Sequence, residues 1–267
     1  QLYAAQLELI ILSEEAATNH MPEILEYFSR EPESRTEVKF VIARGDDSTK
    51  AVTIQTLLTN FSSSNIKQSL ELQQKVLGLT PVYTLNELLN MYLDPTLEIS
   101  LPSIIVYGNA EEGDKKENIT TSTPKALTKI GTTAIFKGKD FLGYLTEEES
   151  KVHSIITGST KESIINLDYK DNYSVFELYK IESDISPDIK DNKITLNISG
   201  KARIKEFHSN TNITKAKETD RLNKELNKHI EDIIKKNFNS MREKYNTDIF
   251  SFRQSFYREN PKYYNTH

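Results

Sequence analysis

Residues Glu218 to Tyr245 read ETDRLNKELNKHIEDIIKKNFNSMREKY. Leu222, Leu226, Ile230, Ile233, Ile234, Phe238, Met241 and Tyr245 recur at the spacing of helical turns and make one apolar stripe. Lys, Glu, Asp and Asn fill the opposite face, and no Pro or Gly interrupts the run. At about 1.5 Å per residue such a helix reaches roughly 40 Å. A single stripe of that length needs a broad partner, and the sheet predicted just before it is the candidate. The strict heptad of a free coiled coil is not kept.

That sheet is legible as alternation. Ile194, Leu196, Ile198, Ala202 and Ile204 alternate with Thr195, Asn197, Ser199, Arg203 and Lys205, the period of a half-buried strand. Gly200 interrupts it and marks a bulge. Tyr173 to Ile185 is strand-like, and Pro187 with DIKDN makes the turn. Beyond the long helix, Thr247 and Asp248 end the run, and IFSFRQSFYRENPKYY reads as a short amphipathic helix running into Pro261.

Towards the N-terminus the pattern changes to strand and helix in turn. Leu7 to Leu12 is a short buried strand, and Ser13 caps a helix with Glu14 and Glu15 in its first turn. Pro22 to Ser29 is a second helix packing Ile24, Leu25, Tyr27 and Phe28 inward. Glu37 to Ala43 is a strand beside the first. Ser48 opens a helix carrying Val52, Ile54, Leu57 and Leu58, and Ile66 to Leu77 is helical or irregular. Thr84 with Glu87, and Thr146 with Glu149, are capping-box patterns. Ser103 to Gly108 is a strand, and Ala110 to Pro124 a mobile loop. Thr132 to Phe136 and Phe141 to Leu145 form a hairpin, with Gly138 free to take a positive φ.

The expected class is therefore α+β and multi-domain, with mixed sheets each packed by helices. Residues 1–100 read as an N-terminal α/β domain incomplete at its start, 101–160 as a middle domain with hairpin and short helix, and 161–267 as a C-terminal domain with antiparallel sheet and long helix.

Candidate chemistry is sparse. The net charge of -5 and the lack of a basic patch interleaved with aromatics argue against nucleic acid. Cysteine is absent, which removes disulfides, thiolate metal sites and thiol nucleophiles. No apolar run is long enough for a membrane span, and the sequence opens directly on QLYAAQLELIIL with no charged n-region or cleavage site, so it reads as a fragment whose targeting segment has been cut away. His20, His153, His208, His229 and His267 stand in no metal-ligand spacing, and His229 borders the stripe. Glu147, Glu148 and Glu149 sit in one first turn, a dipole and capping feature. Arg30, Glu31, Glu33 and Arg35 make a surface ion-pair corner. No phosphate loop, nucleophile elbow or catalytic constellation is present, so no catalytic, cofactor or metal residue is assigned and no enzyme is expected.

Three stretches resemble the Ger(x)C family of spore-germination lipoproteins. They are LELIILSEEAATNHMPEILEYFSREPESRTEVKFVIARG; GTTAIFKGKDFLGYLTEEES, through Gly143, Leu145 and Glu149; and the alternating strand, long helix and tail, through Tyr245, Asp248, Ile249, Phe250, Arg258, Pro261, Tyr263 and Tyr264. The family's signal peptide and lipid-modified Cys are missing, and Tyr264 stands where the family usually has Trp, so the chain resembles a member trimmed at both ends.

The resemblance implies a non-enzymatic subunit of a spore nutrient germinant receptor. Such a subunit is anchored by lipid on an N-terminal Cys at the outer face of the spore inner membrane. Its partners are the A and B membrane subunits, and no cofactor is implied. The alternative is a soluble domain that captures a nutrient germinant directly. Phe252, Phe256, Tyr257, Tyr263 and Tyr264 are candidates for a partner-docking patch, because aromatics concentrate at interface hot spots; the competing reading is that they cover the end of the long helix.

Overall fold

The computed structural model describes residues 7–30, 37–45, 48–54, 62–115, 117–120, 123–170, 172–208, 213 and 215–264. Glu31, Glu33 and Arg35 of the expected ion-pair corner, Leu57 and Leu58 of the expected helix, and the side chain of Val52 lie outside the described residues.

Strand β1 (Leu9–Ser13) leads into α1 (Glu14–Asn19), and the Ser13 hydroxyl accepts the Ala16 N–H at 3.0 Å, as its capping role requires. α2 (Met21–Arg30) buries Met21 and Leu25. Tyr27, expected inward, is 62% exposed and meets Phe28 edge-on at 5.2 Å. β2 (Lys39–Ala43) pairs in parallel with β1, Ile10 opposite Phe40. α3 (Ser48–Thr53), α4 (Ser62–Val76) and α5 (Leu85–Leu93) follow, the last opened by the Thr84–Glu87 box with both of its bonds made.

Next come β3 (Ser100–Leu101), β4 (Ser103–Gly108), α6 (Ala110–Gly113), α7 (Glu117–Thr120) and β5 (Ala126–Ile130). The first sheet has the order β1-β2-β4-β5, parallel except for β5. β2 is apolar on both faces because both are covered. Phe40 and Ile42 pack with Met21, Leu25, Leu85 and Leu88 on one side. Val41 and Ala43 pack with Ile66 and Leu70 of α4 on the other.

The expected mobile loop at Ala110 to Pro124 instead carries two short helices. Asn118, 2% exposed, receives the N–H groups of Lys125 (2.6 Å) and Ala126 (3.1 Å) and donates to the Ala126 carbonyl at 2.9 Å. One buried amide side chain thus pins a segment whose Glu, Lys, Asn and Thr composition reads as solvated; Lys116, Thr121 and Ser122 lie outside the described residues. The turn beside it requires glycine: Gly108 has φ +85, and a Cβ there would lie 2.1 Å from the Lys125 carbonyl oxygen.

β6 (Ala134–Lys137) and β7 (Asp140–Tyr144) form the hairpin, with Gly138 at φ 58, and β3 completes that sheet on the edge of β6. α8 (Glu147–Ile156) starts from the Thr146–Glu149 box. β8 (Glu162–Tyr169), β9 (Asn172–Asp188) and β10 (Lys193–Phe207) make an antiparallel sheet in the order β10-β9-β8. β9 runs through Pro187 before turning, and the register shifts between Ser199 and Lys201 of β10, where Lys180 and Ile181 of β9 stand opposite Gly200, so the extra residue of the bulge lies on β9.

The long helix is α9 (Ala216–Tyr245). Leu222, Leu226 and Ile230 pack on Leu167, Tyr169 and Phe176 of the antiparallel sheet. Ile230 and Ile234 continue onto Ile155, Leu178 and Ile181. Ile233, Phe238, Met241 and Tyr245 reach α8 and the hairpin region at Ile135 and Leu145. Every member of the stripe is thus placed, and each fully buried one is worth about 2 kcal/mol of apolar transfer. The helix ends at Tyr245, where the stripe ends, and Asn246 takes the left-handed conformation (φ 45, ψ 40), a common end for a helix that lacks glycine. The tail is α10 (Phe252–Glu259) and α11 (Pro261–Tyr264), separated by Asn260, which precedes Pro261 and is extended.

A buried polar chain stitches the bodies together. The Gln73 amide exchanges two hydrogen bonds with the Thr80 backbone (3.1 and 3.2 Å), the Thr133 hydroxyl donates to the Thr80 hydroxyl at 3.0 Å, and the Thr133 N–H donates to the Ser150 hydroxyl at 3.0 Å. Each member is satisfied, so the chain can sit in the interior and fix register.

Candidate interaction site at the end of the long helix

The last turn of α9 and the start of α10 are folded back on each other by Asp248. Its carboxylate accepts the N–H groups of Phe250 (3.2 Å) and Arg253 (2.6 Å), so it caps α10 from outside, where Ser251 makes no side-chain cap. The Phe238, Phe250 and Phe252 rings cluster with centroids 5.1 to 6.0 Å apart, Phe250 stacked on Phe252 and both tilted against Phe238, and the His153 ring lies 5.9 Å from Phe250. Stacking of this kind adds about 0.5–1.5 kcal/mol per pair beyond burial.

The tail then crosses to the N-terminal half. Glu98, with a side chain 5% exposed, accepts from the Gly138 N–H (2.8 Å), the Thr247 hydroxyl (2.9 Å) and the Arg253 guanidinium. Gln254 donates to Asp94 at 3.1 Å. One carboxylate therefore collects the hairpin turn, the helix–helix loop and α10. This clasp is invisible in sequence, because Glu98 and Arg253 are far apart in the chain and neither belongs to a motif.

His153 fastens the same loop from α8. Its Nε2 lies 2.8 Å from the Ile249 carbonyl, which only accepts, so Nε2 carries the proton; Nδ1 is buried without a partner. Burial pushes the imidazole pKa down to about 4, only partly offset by that carbonyl. The unfolded chain takes up its proton near pH 6.5 and the folded chain near 4. Stability from this group is complete above pH 6.5 and falls as the pH drops towards 4, by about 3 kcal/mol in all. The difference in urea-unfolding free energy between wild type and His153→Gln should change with pH in that window; parallel pH profiles would show that His153 does not titrate on unfolding.

Between α9 and α10 lies a groove of about 370 Å³ with a mostly apolar lining of Phe238, Phe250, Phe252 and Phe256 and a rim that includes Arg242. Of the expected patch, Phe252 and Phe256 are both half-buried and line the groove, Phe252 also packing against the core cluster, and Tyr257 is 41% exposed. Tyr263 and Tyr264 fall on α11, and their side chains lie outside the described residues.

The remaining charged clusters are structural. At the carboxyl ends of β1 and β2, the Tyr144 hydroxyl donates to Glu14 at 2.8 Å, and Arg44 stacks 3.8 Å above the Tyr144 ring. Arg44 also donates to the Ser103 hydroxyl at 3.0 Å and to the Thr132 hydroxyl. Burial, reinforced by Glu14, raises the Tyr144 pKa, and burial lowers that of Arg44 against the pull of Tyr144 and Glu14. Glu149 closes its capping box and accepts from Ser240 at 2.8 Å. Burial would raise its pKa, but the Thr146 N–H, the Ser240 hydroxyl and Lys244 outweigh that and hold it low. His229 sits at the stripe's border, its Nε2 2.8 Å from the Asn166 carbonyl. Among the described residues no group of His, Asp and Glu is arranged to hold a metal ion, and no helix is long and apolar enough to cross a membrane.

Fold and site together define an α+β scaffold in which Glu98, Glu149 and His153 bond to neighbouring groups in the interior, with an aromatic groove at the surface. The family described as the spore germination B3/GerAC-like C-terminal domain matches residues 131–267, and the spore germination protein N-terminal domain matches 1–106. The chain belongs to the Ger(x)C family of spore-germination proteins, the germinant-receptor subunits. A solved structure described as the crystal structure of the GerBC protein is similar at a TM-score of 0.68 and 18% identity, over 100% of this chain and 73% of that one, a likeness of fold. None of the curated proteins matches the chain.

Proposed function

We infer that the chain is a non-enzymatic subunit of a spore nutrient germinant receptor and works by contact rather than by chemistry. It belongs at the outer face of the spore inner membrane, held by lipid on a cysteine upstream of this stretch, with the A and B membrane subunits as its partners. A single acyl chain holds only weakly, so a diacylated cysteine is the physically sensible tether. The observation that carries the reading is the destination of the buried titratable groups. Glu98, Glu149 and His153 each bond to backbone or to a neighbouring side chain in the interior instead of converging on an open cavity. The apolar groove, with Phe256 and Tyr257 beside it, suits docking.

Deleting the gene should abolish or blunt the spores' response to nutrients, measured as loss of refractility after germinant addition. Normal nutrient germination in a strain lacking every such subunit would refute the reading.

A further inference from the structure

We propose that the open edge of β10 pairs antiparallel with β10 of a second copy of this chain, about a two-fold axis near Gly200. β10 is the outermost strand of its sheet. Among the described residues, its outer edge makes no backbone hydrogen bond. The bulge opposite Gly200 takes its extra residue from β9, so β10 stays regular over 193–204; its own extra residue, Lys205, comes after that. A long regular edge is a row of unpaired donors and acceptors that recruits another strand.

The side chains of β10 complement their own two-fold image. Leu196, Ile198, Ala202 and Ile204 share one face, and Ile204 is 36% exposed at the edge. Antiparallel pairing centred on Gly200 sets Ala202 against Ile198 of the other copy and Ile204 against Leu196, so apolar meets apolar. On the other face Lys201 meets Ser199 and Arg203 meets Asn197. One strand further in, opposite Ser199 and Asn197, β9 carries Glu182 and Asp184. Those four residues border a concavity of about 490 Å³ at this edge. Among the described residues neither carboxylate makes an ion pair, and Lys201 and the bulge residue Lys180 make none either; Asp184 accepts only from Ser186, and Arg203 is shared with Glu177. Within one chain Lys201 stands opposite Tyr179, not opposite either carboxylate. A second strand laid parallel and in register would set Lys201 against Lys201 and Arg203 against Arg203, which like-charge repulsion opposes. The antiparallel two-fold instead brings the cations of each copy towards the unpaired carboxylates of the other. An unrelated strand would have to supply those carboxylates itself, so the pattern selects a second copy. A strand pair is a small interface, and the dimer should be weak.

Sedimentation velocity of the full chain over a concentration series should show a reversible monomer–dimer equilibrium. Hydrogen exchange should show amides of 196–204 gaining protection as the dimer fills. Lys201→Glu and Glu182→Lys reverse charges at exposed positions that hold no ion pair within the chain. Each variant should therefore melt within a few degrees of wild type and weaken the dimer at least about tenfold. An equimolar mixture of the two should recover the dimer, because the reversed charges then face each other across the two-fold. A chain that stays monomeric at every concentration would overturn the proposal. So would amides of 196–204 already protected in the monomer, since the edge would then be covered within one chain. A dimer indifferent to both substitutions, or one that mixing fails to restore, would overturn it as well.

Discussion

Arg253→Ala should lower the unfolding free energy by about 2–4 kcal/mol and loosen the tail from the N-terminal half. Removing one partner of a buried ion pair costs about 3–5 kcal/mol because the survivor keeps its charge out of water. The lower figure applies here because the Arg253 side chain is 37% exposed, whereas that of Glu98 is 5% exposed. Glu98 would keep only the Gly138 N–H and the Thr247 hydroxyl. Glu98→Gln with Arg253→Met, which removes both charges, should cost clearly less than Arg253→Ala alone. Urea unfolding gives the energies, and hydrogen exchange over 247–260 should show protection falling there first. Equal exchange in wild type and variant would mean that the tail is held by its phenylalanines alone.

Met241→Ala should cost about 2–5 kcal/mol, the range for truncating a buried large aliphatic side chain. Met241 is 0% exposed and sits where the stripe of α9 meets Ile135 and Leu145 of the hairpin region and Val152 and Ile156 of α8. The cavity would open where α9 meets α8 and the hairpin sheet. Met241→Leu, close in volume, should cost under about 1.5 kcal/mol. A small loss for Met241→Ala, measured by the same unfolding experiment, would indicate that the packing around α9 collapses into the gap.

Much of this architecture is legible where local periodicity and tertiary demand agree. The α9 stripe, the β10 alternation, the Ser13 cap and both capping boxes were readable because each is decided within a few residues. The short strands β5 and β8 were not: ALTKI and ESIINLDY carry too few alternating residues to stand out, and they become strands because β4 and β9 offer a paired edge. The segment after β4 read as solvated because composition cannot reveal that one asparagine, Asn118, is buried and pays for the order of its neighbours. Tyr27 read as inward because an aromatic beside Phe28 fits the helical stripe, yet the stripe of α2 is narrow and ends at Phe28.

The site was legible only in outline. The tail aromatics were visible as a cluster, but their placement, Phe252 packed against the core cluster and both Phe252 and Phe256 lining the groove, is set by how Asp248 folds the chain. Glu98, Arg44, Tyr144 and His153 carry no local signal at all. Their partners come from strands and loops brought together by the fold, so contact order rather than residue type hides them.

The most direct measurement is affinity purification of the germinant receptor from spore inner membranes, comparing the wild-type chain with a Phe256→Ala, Tyr257→Ala variant whose melting temperature is unchanged. The account predicts that the two membrane subunits come down with the wild-type chain and are lost, along with the nutrient response, in the variant. Full recovery of both subunits and normal germination with the folded variant would contradict it.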